Sequence, residues 1–152
     1  MDILHTLTGA GADSDAAQDY LEFLASRVSP VGVFERHHIL PVSVFPEVSS
    51  LKDHPWNRID LVPSDHLMAH YFLTRVFPGN LSMKLALRGM GRIWNIDIHV
   101  SRLSFADAQL LAAEYHHLRE LFIQGRSQGR VMVYRGSEEV QVALETALPS
   151  LQ

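Results

Sequence analysis

The sequence predicts an α+β fold, mostly helical, with a short β pair set among the helices and a small β-hairpin at the C-terminal end. Three observations carry this. Apolar residues recur at helical spacing in two stretches, Ala17, Tyr20, Leu21, Leu24 and Val28, then Phe105, Ala108, Leu111, Ala112, Tyr115, Leu118 and Phe122. β-Branched and aromatic residues gather in 31–40 and again in 57–62, with a proline-punctuated loop between them. In the tail, Val131 and Val133, then Gly136-Ser137, then Val140 and Val142 alternate as a hairpin does.

The elements follow in order. Residues 1–13 read as a loose lead-in broken by Gly9, Gly11 and Asp13, and Ser14 or Asp15 is placed to cap a first helix that Ser29 and Pro30 end. A first strand follows within 31–40, a loop over 41–55 with Pro41, Pro46 and Pro55, and a second strand over 57–62. Ser64 is expected as an N-cap, with Asp65 suiting the positive end of a helix that runs to about Phe77 and stops at Pro78-Gly79. Another helical pattern spans 82–95, weakened by Gly89 and Gly91, and Ser104 caps a longer helix over about 105–124. For the tail, a helix over 138–148 competes with the hairpin. Trp56 and Trp94 read as core or core-edge anchors, and His116-His117 as structural or surface residues.

Size and composition fit one domain over 1–152, with an acidic helical lead-in (1–30), a central segment (about 33–76) and a C-terminal appendage (about 128–152). There is no cysteine, which excludes disulfides, cysteine-based zinc sites, iron–sulfur clusters and a thiol nucleophile. No apolar run approaches the ~18 residues of a membrane span, and no basic residue precedes an apolar core near the start. The expectation is a cytoplasmic protein with no membrane partner. A net charge of −4 argues against coating nucleic acid by bulk charge, but the charge is uneven. Residues 1–26 hold five acids and no Lys or Arg, whereas 75–102 hold five bases and one acid.

Histidine is the compositional outlier, at nine in 152 residues. His66 and His70, four apart on a predicted helix, project from one face and suit a single metal ion. His37 and His38 are neighbours on a predicted strand and point to opposite faces, so one as ligand and the other as base is the natural division. Glu35 shares a strand face with His37 and is placed to orient a ligand through its second nitrogen. Asn57 by itself is a turn residue. The combination is the signal: His-His, a proline three residues on, an Asn, and His-x3-His beginning nine residues after that Asn.

That constellation resembles the HNH endonuclease family, in particular its small phage-type members. Glu35-x-His37-His38-Ile39-x-Pro41, Asp53-His54-Pro55-x-Asn57 and Leu61-Val62-Pro63-x-Asp65-His66-x2-Ala69-His70 carry the likeness over about 33–75, and Phe72 to Ala86 extends it more loosely. Val44-Phe45-Pro46 stands where many phage-type members have a glycine-rich turn. The resemblance implies a ββα-metal motif, a short hairpin followed by a helix. It implies His38 as general base, His37, His66 and His70 as ligands of one divalent ion (Mg, Mn, Ni or Zn), and Asn57 as the holder of the loop that positions His38. It also implies a DNA endonuclease in a bacterial or phage-infected cell. A toxin-type DNase with an immunity partner, and a non-catalytic metal-stabilised DNA-binding module, are the alternatives.

Such chemistry needs an activated water, charge neutralisation at phosphorus and a stabilised leaving oxygen; a neutral imidazole and one ion can supply them. The rate is expected to rise with pH as His38 loses its proton, through roughly pH 6–7. Lys84, Arg88 and Arg92 recur every four residues as a candidate DNA-binding ridge, with Arg36, Arg58, Arg75 and His54 as secondary candidates. With one site, a monomer would nick and a homodimer would cut both strands.

Overall fold

The computed structural model describes residues 1–92 and 98–127. Among them are α1 (Ile3–Gly9), α2 (Ser14–Ala25), β1 (Glu35–His38), β2 (Arg58–Leu61), α3 (Pro63–Val76), α4 (Leu81–Arg92) and α5 (Phe105–Ser127). Among the described residues the fold is mostly helical, with a small two-stranded antiparallel sheet. The predicted C-terminal hairpin and Trp94 lie outside the described residues.

Several expectations are corrected. The lead-in contains α1, whose N-cap Asp2 accepts from the His5 amide at 3.1 Å. A helix this short is marginal by propensity alone; it persists because Leu7 is fully buried. Helix α2 is capped by Asp13, one residue before the expected caps, through the Ala16 amide at 2.8 Å. It ends at Ala25, so Val28 lies beyond the buried face and is 85% exposed. The first strand is confined to β1, because Gly32 adopts a φ of +107° that a strand cannot hold.

Helix α3 begins with Pro63 after Val62, not with Ser64 as cap. Its missing cap comes from α5 instead. The His116 Nδ1 lies 3.4 Å from the Ser64 amide and 3.1 Å from its hydroxyl, while Nε2 meets Glu120 at 3.0 Å. The expected cap of α5 is observed: Ser104 Oγ accepts from the Asp107 amide at 3.1 Å.

Helix α3 is the centre of the packing. It lies against α2, α4, α5 and both strands. Leu67, Met68 and Tyr71 join Leu87 and Met90 of α4 and Leu111 and Leu118 of α5 in one core cluster. Ala69, Leu73 and Val76 join Leu7, Tyr20, Leu24, Leu40 and Leu61 in a second. A helix buried on two flanks is rotationally fixed, which matters for the side chains it aims at the sheet.

Strands β1 and β2 pair in the register Glu35↔Leu61, Arg36↔Asp60, His37↔Ile59, His38↔Arg58. Alternation then sends Glu35 and His37 to one face and Arg36 and His38 to the other. His37 is almost fully buried, and Arg36 is exposed.

Candidate metal centre

His37 comes from β1, and His66 and His70 come from α3 one turn apart. The pairwise ring-centroid distances are 5.3 Å (His37–His66), 5.1 Å (His37–His70) and 4.9 Å (His66–His70). One nitrogen from each ring lies within 4.8 Å of the others, and the His66 and His70 Nε2 atoms are 3.2 Å apart. Donors around a tetrahedral ion with metal–nitrogen bonds of about 2.0–2.1 Å sit about 3.3 Å from one another. The α3 pair already has that spacing.

The electrostatics suit neutral ligands. Desolvation, then repulsion from the neighbouring imidazoles, holds the His37 pKa well below its ordinary value. Desolvation and His66 lower that of His70 to about 3. Neutral imidazoles keep a lone pair for a cation. The His70 Nδ1 is buried with no hydrogen-bond partner. Three imidazoles around a shared point, two of them with nitrogens facing each other at hydrogen-bond distance, fit a borderline divalent cation.

Glu35 fixes one of the three rings. Burial alone would raise its pKa, but hydrogen bonds from His66 and Tyr115 and the nearby positive charge of Arg119 outweigh burial and hold it low. An ionised carboxylate only accepts, so the contact at 3.0 Å makes His66 Nδ1 the protonated nitrogen and turns the Nε2 lone pair toward His70. Tyr115 donates to both Glu35 oxygens at 2.9 and 3.0 Å, and Arg119 Nε donates at 3.1 Å.

His38 sits apart from this cluster. Its Nε2 lies 3.0 Å from the Ser49 carbonyl. A carbonyl only accepts, so Nε2 carries the proton and Nδ1 the lone pair. Asn57 is fully buried between the ends of the intervening loop. It accepts from the Leu40 amide at 2.6 Å and donates to the Leu40 and Val48 carbonyls, each at 3.2 Å. It thereby ties the end of β1 to the residue before Ser49.

A cleft of about 360 Å³ opens over these groups, lined by Arg36, His37, His38, His66 and His70 on one side and by Ser82, Met83 and Ala86 of α4 on the other. Of the expected DNA-contacting residues, Arg36 alone lines it. Arg58 is in a two-bond ion pair with Asp60, and His54 packs edge-on to Trp56, which is 39% exposed rather than core. Lys84, Arg88 and Arg92 lie about half a turn round α4 from the cleft-lining residues, beside exposed Leu81 and Leu85. The ridge does not face the histidines.

Tyr20, Ser49, Tyr115 and Arg119 are missing from the sequence reading of the site. Both tyrosines sit on apolar helical faces and read as core, Ser49 acts through its backbone, and Arg119 is 84 residues from its partner. No helix among the described residues is long and apolar enough to cross a membrane. No protein-family model, no curated protein and no solved structure matches this chain.

Proposed function

We propose that this chain is a metal-dependent endonuclease that hydrolyses phosphodiester bonds of DNA, with β1, β2 and α3 forming a ββα-metal motif. One observation carries the reading. A single strand supplies two chemistries to one cleft: His37 to a cluster of three imidazoles, and His38 with its Nδ1 lone pair unengaged.

His37, His66 and His70 would hold one divalent ion, whose donor set favours Mn, Ni or Zn over Mg in affinity. Such an ion, when bound, neutralises charge on the phosphate and stabilises the leaving oxygen. His38 accepts the proton of the attacking water at Nδ1. Its Nε2–H stays on the Ser49 carbonyl, so the ring keeps its orientation as it charges. Asn57 keeps that carbonyl in register with the strand end, and Glu35 keeps the His66 lone pair turned inward. Arg36, at the cleft, meets a phosphate of the strand.

The test is cleavage of supercoiled plasmid with Mg, Mn, Ni or Zn, with and without EDTA. Wild type should nick or linearise the plasmid only with metal. His38→Ala should lose at least about 100-fold in rate, the usual worth of a general base, with metal still bound. A wild-type chain that holds one ion and cuts nothing would instead be a non-catalytic metal-stabilised DNA-binding module.

A further inference from the structure

Helix α2 contributes one polar atom to the centre, and it is one that no motif marks. The Tyr20 hydroxyl lies 2.8 Å from His37 Nε2 and 2.9 Å from the Ile39 carbonyl. Tyr20 is fully buried among the apolar side chains of the second core cluster. A phenol is neutral near pH 7, so the group is a hydroxyl with a single proton.

That single proton decides the arrangement. The Ile39 carbonyl has no proton to offer, so the tyrosine must donate to it. The hydroxyl then has only lone pairs left for His37, and the imidazole must donate from Nε2. His37 is thereby restricted to one tautomer, with its lone pair on Nδ1. Glu35 does the same for His66 with the opposite nitrogen.

We infer that Tyr20 is a positioning residue for the metal centre, fixing His37 as the Nε2–H tautomer so that Nδ1 is the ligand atom. The inference rests on the proposed metal site. It also gives the acidic helix α2 a role at the centre. Asp13 starts the helix, and about two turns later its buried face delivers the hydroxyl to His37. Ile39 follows His38 directly, so the same hydroxyl pins the backbone at the end of the strand that carries both histidines. Partners of this kind typically contribute about 10- to 100-fold in metal affinity.

Two measurements on the full-length chain test this. In metal-free wild type, long-range proton–nitrogen correlation NMR should report His37 as a pure Nε2–H tautomer. A pure Nδ1–H tautomer, or a mixture, would overturn the inference, and this reading needs no variant. Titration with Co2+ alone, followed by its visible absorption, should then show Tyr20→Phe binding about 10- to 100-fold more weakly than wild type. The tautomer of His37 should become mixed in the variant, while the Nδ1–H signal of His66 stays as it was. Equal Co2+ affinity in wild type and a folded Tyr20→Phe would overturn the role. Wild type that binds no Co2+ would remove the metal centre itself and the inference with it. A wild type that binds Co2+ beside an unaffected Tyr20→Phe would remove the inference only.

Discussion

At the residue scale, the site is a set of side chains whose protons are assigned by partners that cannot donate. The Ser49 carbonyl assigns His38, the Glu35 carboxylate assigns His66, and Asn57 satisfies two carbonyls and an amide with one buried amide group. Replacing Asn57 by alanine strands those three backbone groups away from water. The expected cost is about 2–3 kcal/mol of stability, read as a lower urea midpoint at unchanged slope. Metal-supported cleavage should fall by more than the loss of folded protein accounts for, because the Ser49 carbonyl loses its register with His38. A variant as stable and active as wild type would show that the loop holds itself. The residues carrying donors and acceptors at characteristic spacing, His37, His38, Asn57, His66 and His70, were legible in the sequence. Those that act on them from a distance were not. A tyrosine on an apolar helical face has the same pattern whether its hydroxyl is idle or, as at Tyr20 and Tyr115, committed.

At the scale of elements, proline and glycine made the central segment readable: Pro63 opens α3, Phe77 closes it, and β1 and β2 lie within their predicted stretches. The exceptions are elements whose stability is tertiary. Helix α1 depends on Leu7, and the start of α3 depends on His116 from α5. Helix α4 was legible as a helix, but its orientation was not, since spacing alone places Lys84, Arg88 and Arg92 together without saying which way they look. With Ser82, Met83 and Ala86 turned to the cleft, cleavage should depend on Arg36 and not on that ridge. Arg36→Glu is expected to slow cleavage and to reduce the salt dependence of DNA binding by about one unit of slope. Lys84→Glu should leave cleavage near wild type. The opposite order, measured by plasmid cleavage and by binding across a salt series, would mean that the DNA path runs over the outside of α4.

For the whole molecule, the centre is stitched from distant parts of the chain around one doubly buried helix, and the neutrality of two of its rings, His37 and His70, is coupled to folding. The imidazoles of His37 and His70 would titrate near 6.5 when unfolded, yet the native fold holds both well below that. Below about pH 6.5 the unfolded chain therefore takes up protons that the native chain does not, and stability declines as pH falls. The metal-free protein should lose on the order of 1 kcal/mol per pH unit for each of the two groups. Urea midpoints at pH 7.5 and 5.5 read this directly. Equal midpoints would mean that both rings are hydrated in the native state.

The clamp on Glu35 has a consequence in time. Tyr115 and Arg119 follow it by 80 and 84 residues. At a translation rate of about 5–20 residues per second, Glu35 leaves the ribosome roughly 4–17 s before the residues that secure it. For the later part of that interval, once His70 has emerged, the nascent chain has all three clustered histidines but not the anchor that orients one of them. The centre is completed late in synthesis, when α5 docks.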